Sequence, residues 1–119
     1  MTDEDSIITK LAIAVDKFKK IDILLNSAGI IVFGFLVSKS GKVLDNDDLW
    51  RVIKINLIGT INVSKYVARH MISLKEHSDR VIINISSIAG LEGGSGLLAY
   101  ALSKGGIIGI TLPMARDLG

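Results

Sequence analysis

Cysteine is absent from the 119 residues, which excludes disulfide support and cysteine-ligated metal and fits a reducing compartment. Aromatic residues are scarce, 5% of a chain that is 49% hydrophobic, so the apolar content is mostly aliphatic. That balance suits the Ile/Leu/Val-rich interior of a parallel α/β sheet rather than an aromatic-rich sandwich. Long hydrophobic runs are missing as well. The longest, Ile30 to Val37, is interrupted by Gly34 and falls far short of the roughly 20 residues that cross a bilayer. Charge of one sign is not concentrated: the formal net charge is +2 and the basic residues are scattered. Despite a pI near 9.0, no basic cluster with stacking aromatics marks a nucleic-acid surface. The opening Met1-Thr2-Asp3-Glu4-Asp5 is acidic, unlike a secretory or mitochondrial leader. These absences predict an intracellular soluble protein with no nucleic-acid partner, no membrane partner and no metal.

What is present suffices for one small domain. Thr2 is placed to cap a helix, with Asp3, Glu4 and Asp5 favourable at its positive end. Ile8, Leu11, Ala12, Val15 and Phe18 recur at helical spacing, and Lys19 and Lys20 suit the C-terminal end. Ile21-Asp22-Ile23-Leu24-Leu25-Asn26 reads as a short strand buried on both faces, broken by Ser27-Ala28-Gly29. Residues 30–46 form an irregular loop containing Gly34 and Gly41. A second helix starts near Asn46 and runs toward Leu74, with Leu49, Ile53, Leu57, Ile61 and Ala68 along one side. Residues 80–86, Arg-Val-Ile-Ile-Asn-Ile-Ser, form a second buried strand. A loop with Gly90, Gly93, Gly94 and Gly96 leads to a third helix beginning near Leu98 or Tyr100. The order α-β-α-β-α is half of a doubly wound parallel sheet. Two parallel strands alone leave edges and apolar faces uncovered, so the sheet is expected to be incomplete.

The chemistry centres on Tyr100-Ala101-Leu102-Ser103-Lys104. Spacing of i and i+4 puts a phenol and an ammonium on one helix face, one turn apart. A free phenol, with a reference value near 10, is a poor base at neutral pH. A neighbouring ammonium and the positive end of a helix favour the phenolate, so such a pair can exchange a proton with an alcohol or carbonyl. Ser87 lies just past the second strand, where open α/β sheets place their ligands, and its hydroxyl can hold a substrate oxygen. A simple turn would also use the Ser86-Ser87 doublet. Asn26-Ser27-Ala28-Gly29 follows the first strand in the same way; its small residues let a flat ligand approach the backbone, and Asn26 can tie neighbouring strands. Asn56 falls within the second helix, where an unsatisfied amide is costly unless it faces solvent.

Asp22-Ile23-Leu24-Leu25-Asn26-Ser27-Ala28-Gly29, Ile55-Asn56-Leu57-Ile58-Gly59, Asn84-Ile85-Ser86-Ser87 and Tyr100-x-x-x-Lys104 occur together in this chain. Their order and spacing resemble those of the short-chain dehydrogenases/reductases along the whole sequence. The resemblance implies a partial Rossmann-type sheet, its fourth and fifth strands with flanking helices, and residues 1–119 as the central, catalytic part of one domain. It implies Tyr100 as the acid/base and Ser87 as the group that positions and polarises the substrate carbonyl. Lys104 would favour the phenolate and bind the nicotinamide ribose, and Asn56 would hold a water in the relay to Lys104. Asn26, Ser27, Ala28 and Gly29 would line the adenosine side of the cofactor site. The family more often has asparagine where Ser27 stands, and a small polar group keeps the site usable.

A narrower resemblance is to the type-2 3-hydroxyacyl-CoA dehydrogenase subgroup. It is carried by Glu92-Gly93, Ser103-Lys104-Gly105-Gly106-Ile107, Thr111 to Leu118 and the Lys39-Ser40-Gly41-Lys42 loop. It implies NAD rather than NADP, a 3-hydroxyacyl-CoA or hydroxysteroid as small-molecule substrate, and the mitochondrial matrix or the cytoplasm. The family's helices near 46–74 and 98–118 pair across a two-fold axis, which implies a homodimer or homotetramer with Gly105, Gly106 and Gly109 allowing close contact. The family's Thr-Gly-x-x-x-Gly-x-Gly phosphate loop is not among the 119 residues, nor is its acidic ribose-binding residue. The N- and C-terminal parts of the domain are therefore expected to be missing and these residues alone inactive. The competing expectation is a non-catalytic product that keeps only the helical association surface.

Overall fold

The computed structural model describes residues 3–74 and 79–119. Helix α1 spans Glu4–Phe18, strand β1 Ile23–Asn26, helix α2 Asn46–Ile53, helix α3 Gly59–Ser73, strand β2 Val81–Asn84 and helix α4 Leu98–Leu118. A π-helical segment, Lys54–Ile58, joins α2 to α3 without a break, and a 3-10 turn, Ile88–Gly90, precedes α4. The strands pair in parallel as expected, in the register Ile23↔Val81 to Asn26↔Asn84. Bonds from the Val81 amide to the Asp22 carbonyl and from the Ile85 amide to the Asn26 carbonyl extend the ladder at both ends. Such a crossover through α2 and α3 is the α/β unit that the sequence order predicts.

Alternation along the strands separates two faces. Asn26 is bonded to Ser64 of α3, and Asn84 to Thr111 of α4, so the helices cover the face shared by Leu24, Asn26, Ile82 and Asn84. On the other face Ile23 is 64% and Leu25 55% exposed, and Val81 and Ile83 are exposed too. The expectation of strands buried on both faces is therefore corrected. The helix layer sits on one side only, and nothing among the described residues covers the other.

The helix expectations are corrected in the same spirit. Asp3 caps α1, accepting the Asp5 and Ser6 amides; Thr2 lies outside the described residues. The inward side of α1 carries Ile7, Leu11, Ala14 and Val15, whereas Ile8, Ala12 and Phe18 of the predicted stripe are exposed. In the second helix Leu49, Ile53, Leu57 and Ile61 are only half-buried. Its buried side carries Val52, Asn56, Thr60, Ser64, Val67 and Met71, with Ala68. The buried stripe Val52, Asn56, Thr60, Ser64 and Ala68 keeps the i, i+4 spacing through the π segment, and the predicted apolar stripe lies one position along, at its border. Glu4 of α1 accepts bonds from Tyr66 and Lys65 of α3, tying the first helix to the third. Helix α4, by length and composition alone, is long and apolar enough to cross a membrane; here it runs against α2, the π segment and the 3-10 turn.

Candidate active site

The C-terminal ends of β1 and β2 bring the predicted residues to one edge, where open parallel sheets gather ligands. Asn26 closes β1 and is 5% exposed. Its Nδ2 donates to Ser64 Oγ at 2.9 Å and to Asn84 Oδ1 at 3.0 Å, and Asn84 Nδ2 donates onward to Thr111 Oγ1 at 3.2 Å. One asparagine pair in register thus links two strands and two helices. Ser27, Ala28 and Gly29 leave the strand with exposed, small side chains.

Asn56 sits in the π segment and is fully buried, at 0% exposure. A solvent-facing asparagine is ruled out. Its Oδ1 accepts the Ile30 amide at 2.8 Å, while Nδ2 donates to the Ile30 carbonyl at 2.8 Å and to Ser103 Oγ at 3.0 Å. The amide is therefore satisfied by the loop after Gly29 and by α4, as a buried polar group must be. Gly29 is held close: a Cβ there would lie 3.2 Å from Asn56 Oδ1. Ser103, also at 0% exposure, passes the link on by donating to the Tyr100 carbonyl at 2.8 Å.

Tyr100 and Lys104 occupy the first turns of α4. Lys104 Nζ lies 5.8 Å from the Tyr100 ring centroid, as the i, i+4 spacing requires. Lys104 is 5% exposed, and its ammonium donates to the Ile85 carbonyl at 2.8 Å. An ammonium has three donors, so this bond leaves two for other partners. Ser87 opens the 3-10 turn, its Oγ accepting the Ala89 amide at 3.2 Å. That bond uses an oxygen lone pair and leaves the hydroxyl proton free to be donated. No hydrogen bond joins Ser87 to Tyr100 among the described residues. A Cβ on Gly90 would lie 2.7 Å from both Gly105 N and the Lys104 carbonyl carbon, so the 3-10 turn rests directly on α4.

Two of the glycines of α4 make close contacts within the chain. Gly105 faces Gly90, and a Cβ on Gly106 would lie 2.6 Å from Leu57 Cδ2, whereas Gly109 has open space around it. Sequence reasoning also missed Ser64, Ser86, Ser103 and Thr111. The available signal was a polar stripe: Asn56, Thr60 and Ser64 recur at i, i+4 and i+8, and Ser103 and Thr111 are eight apart.

Comparison with known proteins agrees with this arrangement. The family model described as short chain dehydrogenase matches residues 1–119. The chain belongs to the short-chain dehydrogenase family. It is 43% identical over 122 residues to the 3-hydroxyacyl-CoA dehydrogenase type-2 of Homo sapiens, covering 99% of this chain and 47% of that protein. Against the 3-oxoacyl-acyl-carrier-protein reductase of Thermotoga maritima it is 37% identical over 118 residues, covering 99% and 45%. A crystal structure of NAD+-bound xylitol dehydrogenase superposes with a TM-score of 0.87 at 36% identity, covering 98% of this chain and 42% of that one. The chain spans about half the length of the curated relatives it matches.

Proposed function

We propose that residues 1–119 are the central, catalytic part of one NAD(H)-dependent oxidoreductase domain that interconverts a secondary alcohol and a ketone. The observation that carries this reading is the buried chain of bonds from Ile30 through Asn56 and Ser103 to the Tyr100 turn, beside a buried Lys104. Such a chain fixes a phenol and an ammonium against a strand end, which is what proton exchange with a bound alcohol requires. In this reading Tyr100 takes or returns the hydroxyl proton, and Ser87 donates its free O–H to the substrate oxygen. Lys104 favours the phenolate and uses its two remaining N–H donors on the ribose hydroxyls. Both amide protons of Asn56 are committed, so a relay water toward Lys104 must donate to one of its oxygens.

The residues present fit a nicotinamide cofactor in part. Exposed Ser27, Ala28 and Gly29 leave backbone open to a planar group beside Asn26, on the adenosine side, and Lys104 meets the ribose. When bound, the nicotinamide supplies the hydride acceptor or donor. NAD rather than NADP, and a 3-hydroxyacyl-CoA or hydroxysteroid-like substrate, are supported by the likeness to the type-2 dehydrogenases. That likeness also supports a mitochondrial or cytoplasmic setting. A second reading, a non-catalytic product that keeps an association surface for a homodimer or homotetramer, is favoured by the bare apolar side chains of the long helices. Trp50, Ile58, Ile72 and Leu112 are all exposed, and a groove of about 450 Å³ lies between α3 and α4.

Calorimetry with NAD, together with the absorbance of NADH formed from 3-hydroxyacyl-CoA and hydroxysteroid substrates, separates the readings. The 119 residues alone lack the backbone amides and helix N-terminus of a phosphate loop, and no turnover is expected from them. Supplying the first half of the human relative, in trans or by fusion, is expected to restore NAD binding and turnover. Restored binding without turnover on any of these substrates would favour the association reading.

A further inference from the structure

Lys104 is held at both ends by consecutive residues of one short segment. Its ammonium donates to the Ile85 carbonyl at 2.8 Å, and its main-chain carbonyl accepts the Ser86 hydroxyl at 2.7 Å. A carbonyl inside a helix has its regular partner four residues on. The Ser86 bond is therefore a second one, to the second lone pair, and no capping need accounts for it. A serine that merely formed a turn would bond locally; this hydroxyl reaches a residue eighteen positions away on another element. Beside it the Gly90 and Gly105 backbones meet too closely for a side chain between them. Ser87, the next residue, turns the other way and accepts the Ala89 amide.

We propose that Ser86 is a positioning residue for Lys104. Its hydroxyl fixes the height of α4 against the end of β2, and so fixes where the ammonium stands relative to Ser87 and Tyr100. The proposal's consequence for turnover rests on the reading of Tyr100 and Lys104 as the proton-exchange pair; the positioning itself does not. Ser86 and Ser87 then divide the work of the doublet, one facing the helix and the other the open edge.

The test reads lysine reactivity in the full 119-residue chain. Reductive dimethylation with formaldehyde and a borane reductant, followed by peptide mass spectrometry, gives a rate for each lysine, with exposed Lys39 as internal reference. Lys104 is expected to react far more slowly than Lys39. Ser86→Ala is expected to raise the Lys104 rate about fivefold, the scale of one lost hydrogen bond. Lys39 and Lys65 should keep their rates, while the thermal midpoint by circular dichroism falls by only the few degrees that one hydrogen bond is worth. Ser86→Thr keeps the hydroxyl and should restore the slow rate. The proposal is overturned by an unchanged Lys104 rate in Ser86→Ala, or by Lys104 reacting as fast as Lys39 in the unsubstituted chain. It is equally overturned if the Lys39 and Lys65 rates rise along with that of Lys104, as general unfolding would cause, or if threonine fails to rescue. No turnover is read, so an inactive chain leaves this result untouched, while a Tyr100 variant of unchanged activity would sink the catalytic reading alone.

Discussion

Two sides of the same strands are built by opposite rules. At the covered face and C-terminal edge, polar side chains are buried and partnered: Asn26 with Ser64 and Asn84, Asn56 with Ile30 and Ser103, Lys104 with Ile85. On the bare face the side chains are aliphatic and exposed: Ile23, Leu25, Val81 and Ile83. A polar group inside must find its partner or incur a penalty of about 1–3 kcal/mol, so the covered side tolerates few alternatives. Apolar groups outside lose only the burial they have not obtained. The buried polar atoms of this chain therefore lie on the covered side, and its exposed strand aliphatics on the other. A groove of about 470 Å³, at the far end of α4 from Tyr100, mixes the two kinds of residue, with Met71, Val81 and Met114 beside Arg80, Asn84 and Thr111.

The largest effect is expected at the edge. In the chain complemented with the first half of a relative, Tyr100→Phe removes the only phenolic proton carrier assigned to the site. Turnover should fall by about 10²–10⁴-fold, the usual contribution of a positioned acid/base, while NAD affinity by calorimetry changes little. Unchanged turnover would remove Tyr100 from its role and with it the functional meaning of the ordered edge.

Glycine substitutions compare a position packed against α4 with an open position on it. Gly90→Ala places a methyl 2.7 Å from backbone atoms of Gly105 and Lys104, which cannot rotate away, so a cost near about 3 kcal/mol is expected, the upper end for overpacking. Gly109→Ala enters open space inside a helix and should stabilise by about 0.5–1 kcal/mol. Chemical denaturation of both variants measures the pair. Equal changes would mean that the 3-10 turn does not rest on α4.

Neighbours on one strand offer a finer comparison. Asn26→Ala strips Ser64 and Asn84 of a shared donor and should cost about 2 kcal/mol. Leu25→Ser, one residue away on the bare face, should change stability by less than about 0.5 kcal/mol and reduce self-association seen by light scattering. If Leu25→Ser proved the more destabilising, the bare face would be covered in solution, and the contrast between the faces would dissolve.

How much of this was legible differs by kind of signal. The parallel pair, the start of α4 and the Tyr100–Lys104 turn follow from apolar runs and i, i+4 spacing, which depend on local chain geometry alone. The inward side of the second helix was not legible from hydrophobicity, because its buried positions are Asn56, Thr60 and Ser64. These are polar residues that read as solvent-facing until their partners are known. The apolar stripe from Leu49 to Ile61 keeps its spacing of four and its half-burial across the π segment, so it marks the border of the inward side and not its centre. Apolar content in a strand does not say which of its faces a helix layer covers, so β1 and β2 read as buried on both. The direction of each hydroxyl in the Ser86-Ser87 doublet depends on α4, which lies beyond any local rule.

The smallest effect expected is at the clamp between α1 and α3. Glu4 accepts the Tyr66 hydroxyl and, at 3.1 Å, the Lys65 ammonium. The Tyr66 bond, and then the lysine, hold the Glu4 carboxyl below its ordinary value, and the same bond to Glu4 pushes the Tyr66 phenol up. A carboxyl with a lowered folded value stabilises above its unfolded range, and that contribution is lost as pH falls through the folded value. A phenol with a raised folded value stabilises below its unfolded range, near 10, and loses that contribution as pH rises through the folded value. The docking of α1 should thus be firmest between the carboxylate and phenol ranges and loosen at both extremes. Both groups are exposed and screened by solvent, so the change in the thermal midpoint should be slight. Amide hydrogen exchange of α1, corrected for the intrinsic pH dependence, resolves it: protection of residues 7–15 should drop on acidification below the carboxylate range. Glu4→Gln should remove the acid limb while leaving exchange in α4 unchanged. If that limb persisted in Glu4→Gln, α1 would be docked by Ile7 and Leu11 alone, and the clamp would belong with the dispensable surface rather than with the ordered side.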